Sequence, residues 1–121
     1  MTICYDLRFP HLFRDLALNG ADIITVPSVF MHVTGKDHWH SLLKARAIET
    51  GCYIVAPAQC GHYFNKRKSY GHSLIVSPWG KILKDAKTEK NIITTDIDKS
   101  QIEIARSKIP SLFINKKYKI D

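Results

Sequence analysis

Apolar and polar positions in this chain switch between helical and strand-like spacing, and the switches mark its elements. Met1 to Tyr5 opens on an apolar run and reads as a buried strand. Phe9, Leu12, Phe13, Leu16 and Ala17 recur at helical spacing as one apolar stripe, and Asn19-Gly20 supplies a C-terminal stop. Ile23 to Val26 is a second buried run, closed by Pro27-Ser28. Strand, helix and strand on short links predict a right-handed parallel crossover. Ser28 to Asp37, small and polar, reads as a loop at the C-terminal end of that second strand, the edge at which open α/β sheets bind ligands. A helix is expected from about Asp37 to Thr50, with Trp39, Leu42, Leu43 and Ala47 turned inward and Gly51 ending it. Tyr53 to Ala58 reads as a third strand, and Gly61 to Gly71 as a polar, basic loop. Ser73 to Ser77 and Lys81 to Asp85 form a predicted hairpin around Pro78-Trp79-Gly80, with Trp79 anchoring the turn. Ile92 to Ile97 reads as another strand, and Ile102, Ala105, Arg106 and Ile109 as a last helix that stops before Pro110. Residues 111–121 are left as a basic tail too short and mixed to fold alone. The fold class is α/β.

Composition narrows the picture. At 121 residues with 45% apolar content, the chain is long enough for one domain with a real core. No apolar run approaches the roughly 20 residues of a membrane span, and no secretory leader opens the chain, so a cytoplasmic protein without membrane partners is expected. Three cysteines in no pattern argue against a disulfide framework. Lysine and arginine outnumber acids 18 to 11, but the excess is dispersed outside Lys66-Arg67-Lys68 and Lys116-Lys117-Lys119. With no recognition helix, zinc spacing or aromatic platform beside it, the charge reads as solvated surface, and no nucleic-acid partner is expected. A domain whose first residue already lies in a central strand suggests an upstream segment.

One stretch carries chemistry. Cys4 ends the first apolar run, polar Asp6 and Arg8 turn the chain, and Phe9-Pro10 opens a helix. A nucleophile on such a corner is pushed out of the sheet toward backbone N–H groups suited to an oxyanion. A lone cysteine is otherwise a small buried hydrophobe. A free thiol ionises only near pH 8.5 or so, and this one needs a base or cation nearby. The six histidines offer no metal-ligand spacing, since His38 and His40 point to different faces of a helix and His62 and His72 flank a loop. No metal or cofactor is expected. A thiol paired with His72 or His38 is a competing hydrolase reading.

Ile3-Cys4-Tyr5-Asp6-Leu7-Arg8-Phe9-Pro10 resembles the nucleophile signature of the carbon–nitrogen hydrolases, the nitrilase superfamily. Ala21 to Ser28, His38-Trp39 leading to Lys44 to Glu49, Ala56 to Gly61 and Tyr70 to Gly80 resemble the same family in the same order. Thr34-Gly35 and Gln59-Cys60-Gly61 are most similar to its deaminated-glutathione amidase branch, with the omega-amidases next. His40 stands where the family often has an acidic residue.

The resemblance implies the second half of an αββα sandwich, a mixed sheet with helices on one face, with residues 1–121 as a partial domain. It makes Cys4 the nucleophile of an amidase working through a thioester. The family's glutamate base and oxyanion lysine would lie upstream, so the chain is expected to be inactive alone and to need a complementary polypeptide. Arg46 and Glu49, three apart on a helix, are assigned a paired structural role. Arg8, with Tyr5 and Thr34, is assigned to substrate binding, because a guanidinium grips a carboxylate at two points; an ion pair of Arg8 with Asp6 or Asp15 is the alternative. The implied substrate is a small amide bearing a carboxylate, and the implied assembly a homo-oligomer. A non-enzymatic remnant or interaction module is the remaining alternative.

Overall fold

The stripe of Phe13 and Ala17 and the inward face of Trp39, Leu43 and Ala47 bury against one face of a small sheet, and this packing organises the chain. The structure, a computed structural model, describes residues 1–62 and 67–114. The tail's Lys116-Lys117-Lys119 and the loop's Lys66 lie outside the described residues.

In chain order the elements are helix α1 (Pro10–Leu18), strand β1 (Ile23–Thr25), helix α2 (His32–Thr50), strands β2 (Tyr53–Ala56), β3 (Leu74–Val76) and β4 (Ile82–Asp85), and helix α3 (Ser100–Lys108). Short 3₁₀ turns cover Cys4–Arg8 and Pro110–Phe113. The sheet is mixed, in the order β1-β2-β3-β4. β1 and β2 run parallel with Ile24 beside Ile54, whereas β2, β3 and β4 are antiparallel neighbours. Period-2 alternation sends Ile24, Ile54, Leu74 and Val76 into the helix-covered core. Tyr53 belongs to the other face, where its hydroxyl donates to the Asp98 carbonyl at 3.1 Å. No helix among the described residues is long and apolar enough to cross a membrane.

Several boundaries differ from those the pattern predicts. Met1 to Tyr5 is not a buried strand: Met1 is 88% exposed and Ile3 59%. The segment runs extended beside β1 through two bonds, Thr2 N–H to Thr25 O at 3.0 Å and Cys4 N–H to Pro27 O at 2.9 Å. Helix α2 begins at His32, five residues before its expected start, and absorbs most of the supposed loop. Gly35 is small there because a Cβ would overlap the Tyr70 ring, so packing across the fold, not turn chemistry, selects it. Ile92 to Ile97 forms no strand, since no sheet edge among the described residues pairs with it, and Ile92 is left exposed. Trp79 is exposed, with Lys108 Nζ over its ring at 5.8 Å. The tail is not wholly unstructured either: Leu112 is buried in the core, and Arg14 donates to the carbonyls of Ser111 and Ile114.

Candidate active site

Cys4 sits where the extended N-terminal segment meets the 3₁₀ turn, and its φ of 44° is a backbone conformation that L side chains rarely adopt. Two reciprocal bonds fix this corner. The Ile3 N–H donates to Asp6 Oδ2 at 2.9 Å, and the Asp6 N–H donates to the Ile3 carbonyl at 3.0 Å. Strain of roughly 1–3 kcal/mol is held at such a position only when its surroundings over-determine it. The expected corner is present: the turn through Asp6 and Arg8 is a 3₁₀ turn, and helix α1 opens after Phe9 at Pro10, as the sequence pattern predicts.

The half-buried sulfur lies 3.8 Å from the Val29 carbonyl, at the edge of a mainly apolar cleft of about 490 Å³. Ile3, Pro27, Ser28, Pro57, Gln59 and Ser73 line it with Cys4. Two parallel neighbours create this hollow. The bonds of Ser28 N–H to Pro57 O and Gln59 N–H to Ser28 O continue the β1–β2 pairing beyond the strands, to the C-terminal ends that line the cleft. Among the described residues, the lining carries no carboxylate and no ammonium.

Arg8, Tyr5 and Thr34 do not line the cleft. Arg8 is half-buried, with its guanidinium 5.3 Å from the Phe30 ring centre and 5.7 Å from that of Tyr5, and both Nη atoms 3.5 Å from His38 Nδ1. It makes no ion pair among the described residues, and Asp6 is taken by the corner, so the alternative pairing with Asp6 or Asp15 is not formed. Tyr5 is exposed and meets Phe9 edge-on. Thr34 lies in the first turn of α2, not in a loop, and its hydroxyl faces the Met31 carbonyl at 3.5 Å.

Arg46 and Glu49 do pair, Nη1 to Oε2 at 2.9 Å. The more buried contact of Arg46 is a different one: its Nε donates to the Leu7 carbonyl at 3.0 Å, and its guanidinium lies 5.5 Å from the Phe13 ring centre. Arg46 therefore ties α2 to the turn that begins at Cys4. Neither histidine proposed as a thiol partner reaches the sulfur, because His38 faces Arg8 and His72 faces Asp85.

Sequence spacing missed one cluster. His40 Nε2 lies 3.3 Å from Asp85 Oδ2, His72 Nδ1 lies 3.0 Å from Asp85 Oδ1, and Lys87 Nζ lies 3.0 Å from Asp85 Oδ2. The Tyr70 ring stacks on His72, with its hydroxyl 3.4 Å from His40 Nδ1. Burial of Asp85 favours its neutral form. The Lys87 backbone N–H and ammonium, with His72 and His40, outweigh that and hold the carboxyl well below the usual range. Burial, then the Asp85 charge, pushes the Tyr70 phenol up. His40 and His72 are thus held in a partly buried polar cluster around Asp85. The β3–β4 register, which sets Leu74 opposite Asp85, was the signal that could have linked position 85 to the residues just before β3.

Comparison with known proteins places this geometry among relatives. A family model described as carbon-nitrogen hydrolase matches residues 1–107. Deaminated glutathione amidase of Synechocystis sp. is 46% identical over 112 residues, covering 93% of this chain and 41% of that protein. Deaminated glutathione amidase of Dictyostelium discoideum is 50% identical over 124 residues, covering 99% of this chain and 42% of that protein. The crystal structure of the C. elegans NitFhit protein superposes with a TM-score of 0.91 at 40% identity, over 96% of this chain and 28% of that one. The chain thus spans less than half the length of the curated relatives it matches.

Proposed function

From a chain that belongs to the carbon–nitrogen hydrolase family, we propose an amidase half-site: Cys4 supplies the nucleophile, and a segment outside these 121 residues supplies the base and the oxyanion cation. The observation that carries the reading is Cys4 itself, held at φ 44° with its sulfur at the edge of a cleft whose lining, among the described residues, offers no acid and no lysine. The Cys4 thiolate attacks the amide carbonyl carbon and forms a tetrahedral oxyanion. The C–N bond breaks, the amine departs with a proton from the base, and a Cys4 thioester remains for water to hydrolyse. Each step needs a carboxylate-type base or a cation, and among the described residues the cleft lining offers neither. That group would come from a complementary segment packed beside the exposed Met1 and Ile3.

The relatives' name supports a deaminated-glutathione-like substrate, an amide that bears carboxylates. Arg8 suits it, on the turn that begins at Cys4 though outside the cleft lining: its guanidinium is braced by two rings, faces His38, and has no carboxylate partner among the described residues. Tyr5 forms the outer wall of that grip.

The test is reconstitution. The 121-residue chain alone, and mixed with the N-terminal part of the Synechocystis relative, is assayed for hydrolysis of deaminated glutathione. The mixture should turn over and the chain alone should be slower by at least about a hundredfold, the usual worth of a positioned acid–base group. Enzyme-like rates from the chain alone would overturn the half-site proposal, and failure of every mixture would favour a non-enzymatic module.

A further inference from the structure

We infer that His40, His72 and Asp85 form a binding site for one borderline divalent transition cation, of the zinc or cobalt class. One ligand atom from each residue lies within 4.8 Å of the others. Two of the separations are already those of a coordination sphere: His40 Nε2 to Asp85 Oδ2 is 3.3 Å and His72 Nδ1 to Asp85 Oδ2 is 3.2 Å. Ligands about 2.0–2.1 Å from a tetrahedral ion stand roughly 3.4 Å apart, so only the two imidazoles need to close. Two imidazoles and one carboxylate select zinc-like ions over magnesium or calcium, which demand oxygen shells. Three protein ligands leave a fourth position for water.

The surroundings are those of a built site. With His40 bound through Nε2, its Nδ1–H is left to donate to the Tyr70 hydroxyl, 3.4 Å away, which fixes the tautomer. The Trp39 indole N–H donates to the His72 carbonyl at 2.8 Å, and the Lys87 backbone N–H donates to Asp85 Oδ1 at 2.8 Å. Side-chain exposures of 26%, 17% and 10% for His40, His72 and Asp85 leave the trio screened yet reachable. The cation now facing Asp85 is the Lys87 ammonium, on a side chain that is 70% exposed and free to swing out. A metal ion would take its place and staple α2 to the β3–β4 hairpin. None of the three ligands lines the Cys4 cleft, so this site stands or falls apart from the amidase reading.

The test is a titration of the full chain, chelator-treated and carrying Cys4→Ser and Cys60→Ser so that no accessible thiol competes. Cobalt(II) is followed by its visible d–d absorption, and zinc by competition. One ion per chain should bind and raise the melting temperature. His40→Gln should weaken binding at least tenfold with an unchanged circular dichroism spectrum. Lys87→Met should tighten it severalfold, a gain that a purely structural ion-pair role does not produce. Absence of stoichiometric binding to the folded chain, unchanged affinity in His40→Gln, or no gain in Lys87→Met would each overturn the assignment. Lys87→Met changes an exposed side chain and keeps the test decisive even where His40→Gln fails to fold.

Discussion

Replacing Arg46 by methionine tests whether α2 clamps the cysteine corner or only carries a helix-surface ion pair. Methionine keeps most of the aliphatic stem in its buried slot, so the loss is chiefly polar. The Leu7 carbonyl, buried with a residue that is fully inaccessible, loses its charged donor and goes unsatisfied, costing about 1.5–3 kcal/mol. The cation over Phe13 adds about 0.5–1 kcal/mol. The bond to Glu49, whose side chain is 47% exposed, adds under about 1 kcal/mol. Arg46→Met should therefore lower the urea-derived unfolding free energy by about 3 kcal/mol, shifting the midpoint while the slope stays constant. Glu49→Gln should cost less than about 1 kcal/mol. A loss under about 1 kcal/mol for Arg46→Met, or an equal loss for Glu49→Gln, would refute the clamp and restore the simple ion pair as the scaffold.

Gly35→Ala gains about 1 kcal/mol of helix propensity but drives a methyl into the Tyr70 ring, so a net loss of about 1–2 kcal/mol is expected by thermal melting; a gain would mean Tyr70 packs elsewhere. Asp85, held below the ordinary carboxylate range, protonates later in the folded chain than in the unfolded one, so its stabilisation is whole above about pH 4 and drains away as pH falls further. Asp85→Asn should flatten that acid limb without removing it, because the Ser100 hydroxyl and N–H also hold Asp98 low; an unaltered limb in a pH series of urea midpoints contradicts the assignment. In a reconstituted enzyme, Arg8→Met should raise KM for a carboxylate substrate roughly 10–100-fold with kcat little changed; an equal rise for a neutral amide would remove Arg8 from carboxylate recognition.

The parts of this fold legible in the sequence are those set by local chemistry. Pro78-Trp79-Gly80 between two apolar runs became the β3–β4 hairpin, and Gly51 stops α2 with φ at 62°. The Cys4 corner is likewise local, closed by Asp6 two residues on. What could not be read depends on distant partners. The start of α2 was hidden because Gly35 answers to Tyr70, far along the chain. The alternation at 92–97 resembles a strand but needs an edge to pair with, and no local pattern reports whether one exists. Arg46 looked like half of an ion pair because Glu49 is near in sequence, whereas Leu7, its buried acceptor, is not. The His40, His72 and Asp85 cluster joins a helix, a pre-strand residue and a strand end, so beyond the hairpin register that pairs position 85 with the start of β3, residue spacing carried no trace of it.

The central claim is that one sulfur forms the acyl intermediate, and trapping that intermediate tests it most directly. The reconstituted mixture is quenched in acid during turnover of deaminated glutathione, and its peptides are weighed by mass spectrometry. Cys4→Gly is the control, since glycine tolerates the φ of 44° and keeps the corner. An acyl adduct is expected on the peptide containing Cys4, none on Cys52 or Cys60, and no turnover in Cys4→Gly. Turnover that survives Cys4→Gly, or an adduct that maps to another cysteine, would contradict that claim.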